Sequence, residues 1–106
     1  MSMFDDREKG YERKFQQDQE LAFKVKARRN RLLGLWAAQK LGLFGDAAEA
    51  YARAVINAEL QAGGDAGVVA KIAEDFVAKG VAFDAVRIRL ELDRFTGEAR
   101  KQLGAA

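Results

Sequence analysis

The most concentrated chemistry in this sequence is a basic tract, residues 24–31, that reads Lys-Val-Lys-Ala-Arg-Arg-Asn-Arg. At helical spacing Lys24, Arg28 and Arg31 share one face. Such a face suits an acidic protein surface or nucleotide phosphates, although most charge runs are simply solvated helix faces. Nucleic-acid binding would rest on phosphate neutralisation alone, because only Phe23 offers an aromatic contact nearby. The candidate residues for an anion or an acidic surface are Lys24, Arg28, Arg29 and Arg31.

The residue types that perform most enzyme chemistry are missing. The chain contains no histidine and no cysteine, which removes the commonest general base, the thiolate nucleophile and the commonest zinc ligands. The adjacent carboxylates Glu74 and Asp75 diverge on a helix. Gly63 and Gly64 are not followed by the Lys-Ser or Lys-Thr of a phosphate-binding loop. The sequence therefore predicts no catalytic residue, no metal site, no cofactor and no enzymatic activity.

Glycines divide the chain into segments with a helical pattern. Proline is absent, and Gly42, Gly63-Gly64 and Gly80 mark breaks. Between them apolar residues recur every three or four positions, which predicts helices near residues 18–41, 46–62, 66–79 and 85–103. Residues 86–92 alternate with period two, but no second strand exists for them to pair with. Short connections make neighbouring helices antiparallel, so we predict an all-α four-helix bundle.

Local signals refine this outline. Asp46 stands three residues before Glu49, as in a capping box, and Asp65 and Asp84 stand before the third and fourth helical patterns. We therefore predict all three aspartates as N-caps. Trp36 is predicted in or beside the core. Gly34 lies inside a helix at a cost of about 1 kcal/mol, which the close approach of a neighbouring helix would explain.

Residues 1–17 form a distinct segment, here called the arm, that precedes a four-helix domain of residues 18–106. At helical spacing Phe4, Tyr11 and Phe15 share one face of the arm, and they are the only large apolar residues on that face. A helix this short is marginal in water. We predict a flexible, helix-prone arm that orders when a partner buries these aromatic side chains. The alternative is that the arm packs on its own bundle and extends the first helix.

The chain shows no sign of a membrane or secretory segment. Its first residues lack the basic start and apolar run of a signal peptide, and no apolar stretch approaches the roughly 20 residues of a membrane span. We expect a cytoplasmic protein that does not insert into the membrane.

Two stretches resemble a known family. Phe4-Asp5-Asp6-Arg7-Glu8 with Lys14-Phe15, and the stretch Ala27-Arg28-Arg29-Asn30-Arg31-Leu32-Leu33-Gly34-Leu35-Trp36-Ala37-Ala38, are similar to the zeta subunit of alphaproteobacterial F-type ATP synthase. The resemblance implies a four-helix inhibitor of ATP hydrolysis. It also implies an N-terminal segment that becomes helical as it inserts between the alpha, beta and gamma subunits of the catalytic head. The partner-binding residues that it implies are Phe4, Asp5, Arg7, Glu8, Tyr11, Lys14 and Phe15.

With this resemblance we expect a regulator that associates peripherally with the inner membrane through the ATP synthase. We also expect it to be monomeric when free, to bind nucleotides at most weakly and to bind no nucleic acid. The competing hypothesis is a small helical nucleotide- or nucleic-acid-binding protein that uses Lys24–Arg31. The two hypotheses differ in the segment that matters. Deleting residues 1–15 would abolish only the first activity, and neutralising Arg28, Arg29 and Arg31 only the second.

Overall fold

The computed structural model describes the backbone of residues 3–104, and the side chains of this range except those of residues 3–13, 15 and 62. Within this part of the chain the fold is all-α. The four helices are α1 (Met3–Lys40), α2 (Asp46–Ala62), α3 (Asp65–Lys79) and α4 (Ala85–Gln102). The predicted four-helix fold is confirmed, and residues 86–92 are helical despite their alternating pattern.

Helix α1 begins earlier than the predicted residue 18. It continues from Met3 to Lys40 over 38 residues, or about 57 Å at 1.5 Å per residue. Gly10 does not interrupt it, since glycine weakens a helix without breaking it. Every described side chain from Lys14 to Lys24 is exposed, and Val25 is the first buried one. The part of α1 that the bundle covers therefore begins near Val25.

The helices pack in a ring, in which α1 contacts α2 and α4, and α3 contacts the same two helices. The centre of this ring is filled by buried apolar side chains: Leu33, Ala37, Val55, Val68, Ile72, Phe76, Ile88 and Leu92. Trp36 is partly buried beside them, with its ring centroid 5.8 Å from that of Phe76 and 5.7 Å from that of Phe83. Its predicted place in or beside the core is confirmed.

Helices α1 and α2 approach closely at Gly34. A Cβ atom added to Gly34 would lie 2.7 Å from the Cα atom of Ala52 and 3.3 Å from the Cβ atom of Val55. Such distances are too short for carbon atoms, so only glycine allows this spacing of the two helices. The close approach that the sequence suggested is confirmed.

One of the three predicted N-caps is correct. The Asp84 side chain accepts a hydrogen bond from the Arg87 N–H at 3.0 Å. The N-caps of α2 and α3 are instead Gly45 and Gly64, which adopt φ angles of 59° and 90°. These positive φ angles favour glycine, so Asp46 and Asp65 were wrongly predicted as caps and are the first residues of their helices.

None of the helices in residues 3–104 combines the length and the apolar character needed to cross a lipid bilayer.

Candidate functional site

The basic tract lies in the bundled part of α1, where its central residue, Arg29, points inward. Arg29 is 3% exposed. Its Nη2 donates to the Asp65 Oδ1 and to the Asn30 Oδ1, both at 2.9 Å, and lies 3.6 Å from the Glu59 Oε2. Asn30 in turn donates from Nδ2 to the Glu59 carboxylate. Arg29 thus joins α1 to α2 and α3 instead of lying on the surface.

The other basic side chains of the tract remain nearer the solvent. Arg31 donates from Nη2 to both carboxylate oxygens of Glu49, at 2.8 and 3.0 Å, and Arg28 donates from Nη1 to the Gln102 Oε1 at 2.9 Å. Lys24 is exposed. Since Glu49 belongs to α2 and Gln102 to α4, Arg31 and Arg28 reach opposite neighbours of α1. The structure therefore does not gather the four predicted basic residues around one ligand.

A second polar link joins α2 to α3. The Tyr51 Oη donates to the Asp75 Oδ2 at 2.8 Å, and the Lys71 Nζ lies 3.1 Å from the same oxygen. Burial and the adjacent Asp75 carboxylate raise the pKa of the Tyr51 hydroxyl above its ordinary value. Tyr51 is therefore protonated at neutral pH and serves as a hydrogen-bond donor between two helices.

Most of the predicted partner-binding residues lie outside the described side chains: Phe4, Asp5, Arg7, Glu8, Tyr11 and Phe15. The backbone of these residues is helical. A helical backbone is the condition under which Phe4, Tyr11 and Phe15 share one face. Lys14 is exposed on the same helix.

Sequence reasoning missed an apolar cleft between α1 and α2, here called the Phe23–Leu60 cleft. Two large apolar side chains border it although Phe23 is 68% exposed and Leu60 is 74% exposed. The cleft has a volume of about 220 Å³ and is lined by Phe23, Lys26, Ala27, Asn30, Ile56, Glu59 and Leu60. A phenylalanine directly before the basic tract was the one signal in the sequence, but its neighbour Leu60 is 37 positions further along the chain.

A second apolar depression lies between the other two helices and is here called the α3–α4 groove. Val86 is 70% exposed and Leu90 is 60% exposed along its edge. The groove has a volume of about 540 Å³ and is lined by Ala66, Val69, Ala70, Ala85, Val86, Arg89 and Leu90. Because the helices form a ring, this groove and the Phe23–Leu60 cleft lie on opposite sides of the bundle.

Comparison with protein families gives a match that spans nearly the whole chain. The model of the family ATPase inhibitor subunit zeta matches residues 1–102, which include the arm and all four helices. No curated protein is found to match. The family description denotes a regulatory subunit and agrees with the resemblance noted in the sequence. With the helices α1 to α4 and the arm all inside the matched range, this chain belongs to the ATPase inhibitor subunit zeta family.

Proposed function

We propose that this protein inhibits ATP hydrolysis by the F-type ATP synthase by inserting its arm into a catalytic interface of the enzyme. The observation that carries the proposal is the family match, since it describes an ATPase inhibitor and includes residues 1–17. The helical backbone of α1 from Met3 onward also supports it. A helix can enter a groove between subunits without leaving its backbone hydrogen bonds unsatisfied.

In this proposal Phe4, Tyr11 and Phe15 are the apolar anchors. Burying a large apolar side chain contributes about 1.5–3 kcal/mol, and ordering the arm on binding costs on the order of 2–5 kcal/mol. The three anchors together are therefore enough to offset the ordering cost. The charged residues make the surrounding polar contacts: Asp5, Arg7, Glu8 and Lys14.

The proposed partner is the catalytic head, at an interface formed by the alpha, beta and gamma subunits. A helix wedged there would hold the interface open and prevent the closure that hydrolysis needs. The inhibitor supplies no catalytic group and uses no cofactor. We propose that it is cytoplasmic and monomeric when free, and that it associates with the inner membrane only through the ATP synthase.

The experiment is ATP hydrolysis by ATP synthase from the source organism or a close relative, with added protein. Replacing Phe4, Tyr11 and Phe15 with serine should raise the inhibitory concentration by about two orders of magnitude or more, since each 1.4 kcal/mol is tenfold. The matched control replaces three exposed apolar residues of the bundle with serine, namely Phe44, Val77 and Val86, which are 71%, 81% and 70% exposed. Full inhibition by the arm variant, or no inhibition by the wild type, would contradict the proposal.

The competing nucleotide- or nucleic-acid-binding function is tested on the same protein. Arg29 is unsuitable for this purpose because it is buried in a network of hydrogen bonds and ion pairs. The variant should therefore replace Lys24, Arg28 and Arg31 with glutamine. Titrations with ATP and with an oligonucleotide then measure binding. Tight binding by the wild type that this variant loses would favour the competing function.

A further inference from the structure

The Phe23–Leu60 cleft combines features of a protein contact that the bundle itself does not use. Phe23 and Leu60 are large apolar side chains that remain 68% and 74% exposed on either side of one depression. Contact of such side chains with water is unfavourable, and neighbouring apolar groups of this kind mark interaction sites. Ala27 and Ile56 add to the apolar lining, beside the polar side chains of Lys26, Asn30 and Glu59. The cleft has room for one apolar side chain of a partner.

We propose that the Phe23–Leu60 cleft is a second contact with the catalytic head of the ATP synthase, and that it receives an apolar side chain from an acidic surface of that head. The inference rests on the function proposed above and extends it from the arm to the bundle. The arm would supply the inhibitory wedge, and the cleft would fix the position of the bundle against the enzyme.

The charges beside the cleft favour an acidic partner surface. Arg29 is buried, Arg31 pairs with Glu49 and Arg28 reaches Gln102 in α4, and none of these three arginines lines the cleft. Lys26 lines the cleft, and its side chain is 55% exposed although its Nζ lies 3.6 Å from the Glu59 Oε1, a carboxylate that Arg29 and Asn30 also contact. Lys24, the residue after Phe23, is exposed as well. Carboxylates at the edge of the partner surface would complement these two lysines.

The position of the cleft on α1 links it to the arm. Residues 15 and 23 belong to the same uninterrupted helix, and eight residues correspond to about 12 Å along its axis. The cleft therefore lies within reach of a partner that holds the arm, about two helical turns further along α1. Two contacts on one helix raise the effective concentration of each for its own site. The bundle would thus prolong the residence of the arm.

The α3–α4 groove serves as the control surface. It is also apolar and also bordered by two exposed side chains, Val86 and Leu90. Neither α3 nor α4 is continuous with the arm, and the groove lies across the ring from the cleft. If nonspecific contact of exposed apolar side chains were sufficient for binding, the cleft and the groove would contribute equally to the affinity for the catalytic head.

The experiment compares two double variants of the full chain, F23S/L60S and V86S/L90S, with the wild type. Binding to the immobilised catalytic head and inhibition of ATP hydrolysis are both measured. We expect F23S/L60S to bind at least about tenfold more weakly, a change of 1.4 kcal/mol in binding free energy, through faster dissociation. V86S/L90S should bind as the wild type does. Both variants should keep the wild-type melting temperature, since all four side chains are mostly exposed.

Three outcomes would overturn the inference. Wild-type affinity of F23S/L60S would do so while leaving the arm proposal intact, provided that the wild type inhibits. Weaker binding of V86S/L90S alone would assign the contact to the α3–α4 groove. A dimer detected by light scattering that F23S/L60S dissociates would assign the cleft to a second copy. Because binding is measured apart from inhibition, a wild type that binds without inhibiting would refute the arm mechanism and still test the cleft.

Discussion

At the scale of single residues, the basic tract separates into structural and surface roles that its sequence does not distinguish. Arg29 is 3% exposed and contacts Asp65, Asn30 and Glu59, whereas Arg31 is 46% exposed and pairs only with Glu49 among the described residues. A buried guanidinium must keep its partners, because removing one member of a buried pair leaves the others uncompensated. Arg29 is therefore part of the framework that joins three helices.

We predict that Arg29→Ala lowers the free energy of unfolding by about 2–3 kcal/mol. The loss is below the roughly 3–5 kcal/mol of a fully buried pair, because the Glu59 and Asp65 side chains keep 15% and 31% of their exposure. The control, Arg31→Ala, removes an exposed ion pair and should cost under about 1 kcal/mol. Urea unfolding followed by circular dichroism measures both. Equal losses in the two variants would show that Arg29 has no special structural role.

At the scale of helices, the contact between α1 and α2 depends on small residues. Gly34 faces Ala52 across the closest approach, and Ala37, Ala38, Ala52 and Ala58 are buried. Small side chains allow two helix backbones to come close, so that the larger neighbours Leu33 and Val55 fill the core completely, both at 0% exposure. The spacing of these two helices also sets the width of the Phe23–Leu60 cleft.

We predict that Gly34→Ala destabilises the protein by a net amount of up to about 2 kcal/mol. Alanine favours a helix over glycine by about 1 kcal/mol, but its Cβ would lie 2.7 Å from the Ala52 Cα, and overpacking costs about 1–3 kcal/mol. The control is Gly97→Ala in α4, where an added Cβ meets nothing within 4 Å. That change should stabilise the protein by up to about 1 kcal/mol. Thermal unfolding of both variants would contradict the prediction if the two shifts had the same sign.

The elements were largely predictable from sequence, and the reasons for each error are local. Apolar spacing located all four helices and placed Trp36 beside the core. The caps of α2 and α3 were misassigned because a Gly-Asp pair offers two candidates, and only the φ angles of Gly45 and Gly64 decide between them. Arg29 is buried by residues about 30 or more positions away in the sequence, and the two sides of the Phe23–Leu60 cleft are equally distant from each other. The spacing of residues within one helix cannot predict such contacts between helices.

At the scale of the whole molecule, α1 is a long helix of which the bundle covers only a part. Helices α2, α3 and α4 contain 17, 15 and 18 residues, against 38 in α1. The described side chains that precede Val25 are exposed. The arm prediction for residues 1–17 falls on side chains that are mostly outside the described part, so its flexibility in the free protein stays a prediction.

We predict that amide hydrogens of residues 16–24 exchange with solvent at least about tenfold faster than those of residues 28–38 in the free protein. Opening the helix before Val25 breaks few tertiary contacts, whereas opening it near Leu33 disrupts the core. Residues 1–15 should exchange faster still. Hydrogen exchange followed by nuclear magnetic resonance gives this profile along α1. Equal protection from residue 4 to residue 38 would support an arm that packs on its own bundle.

The hydrogen bond between Arg28 and Gln102 holds the last turn of α4 beside α1. That turn can therefore serve as a reference point for measuring the direction of α1. Residue 16 lies twelve residues before Arg28 on the same helix, or about 18 Å along its axis if the helix is straight. The chain has no cysteine of its own, so cysteines introduced at Gln16 and at the exposed Lys101, which leave Gln102 in place, would be the only sites for a pair of dyes. The distance between such dyes reports whether α1 stays straight or bends at the edge of the bundle when the protein meets its partner.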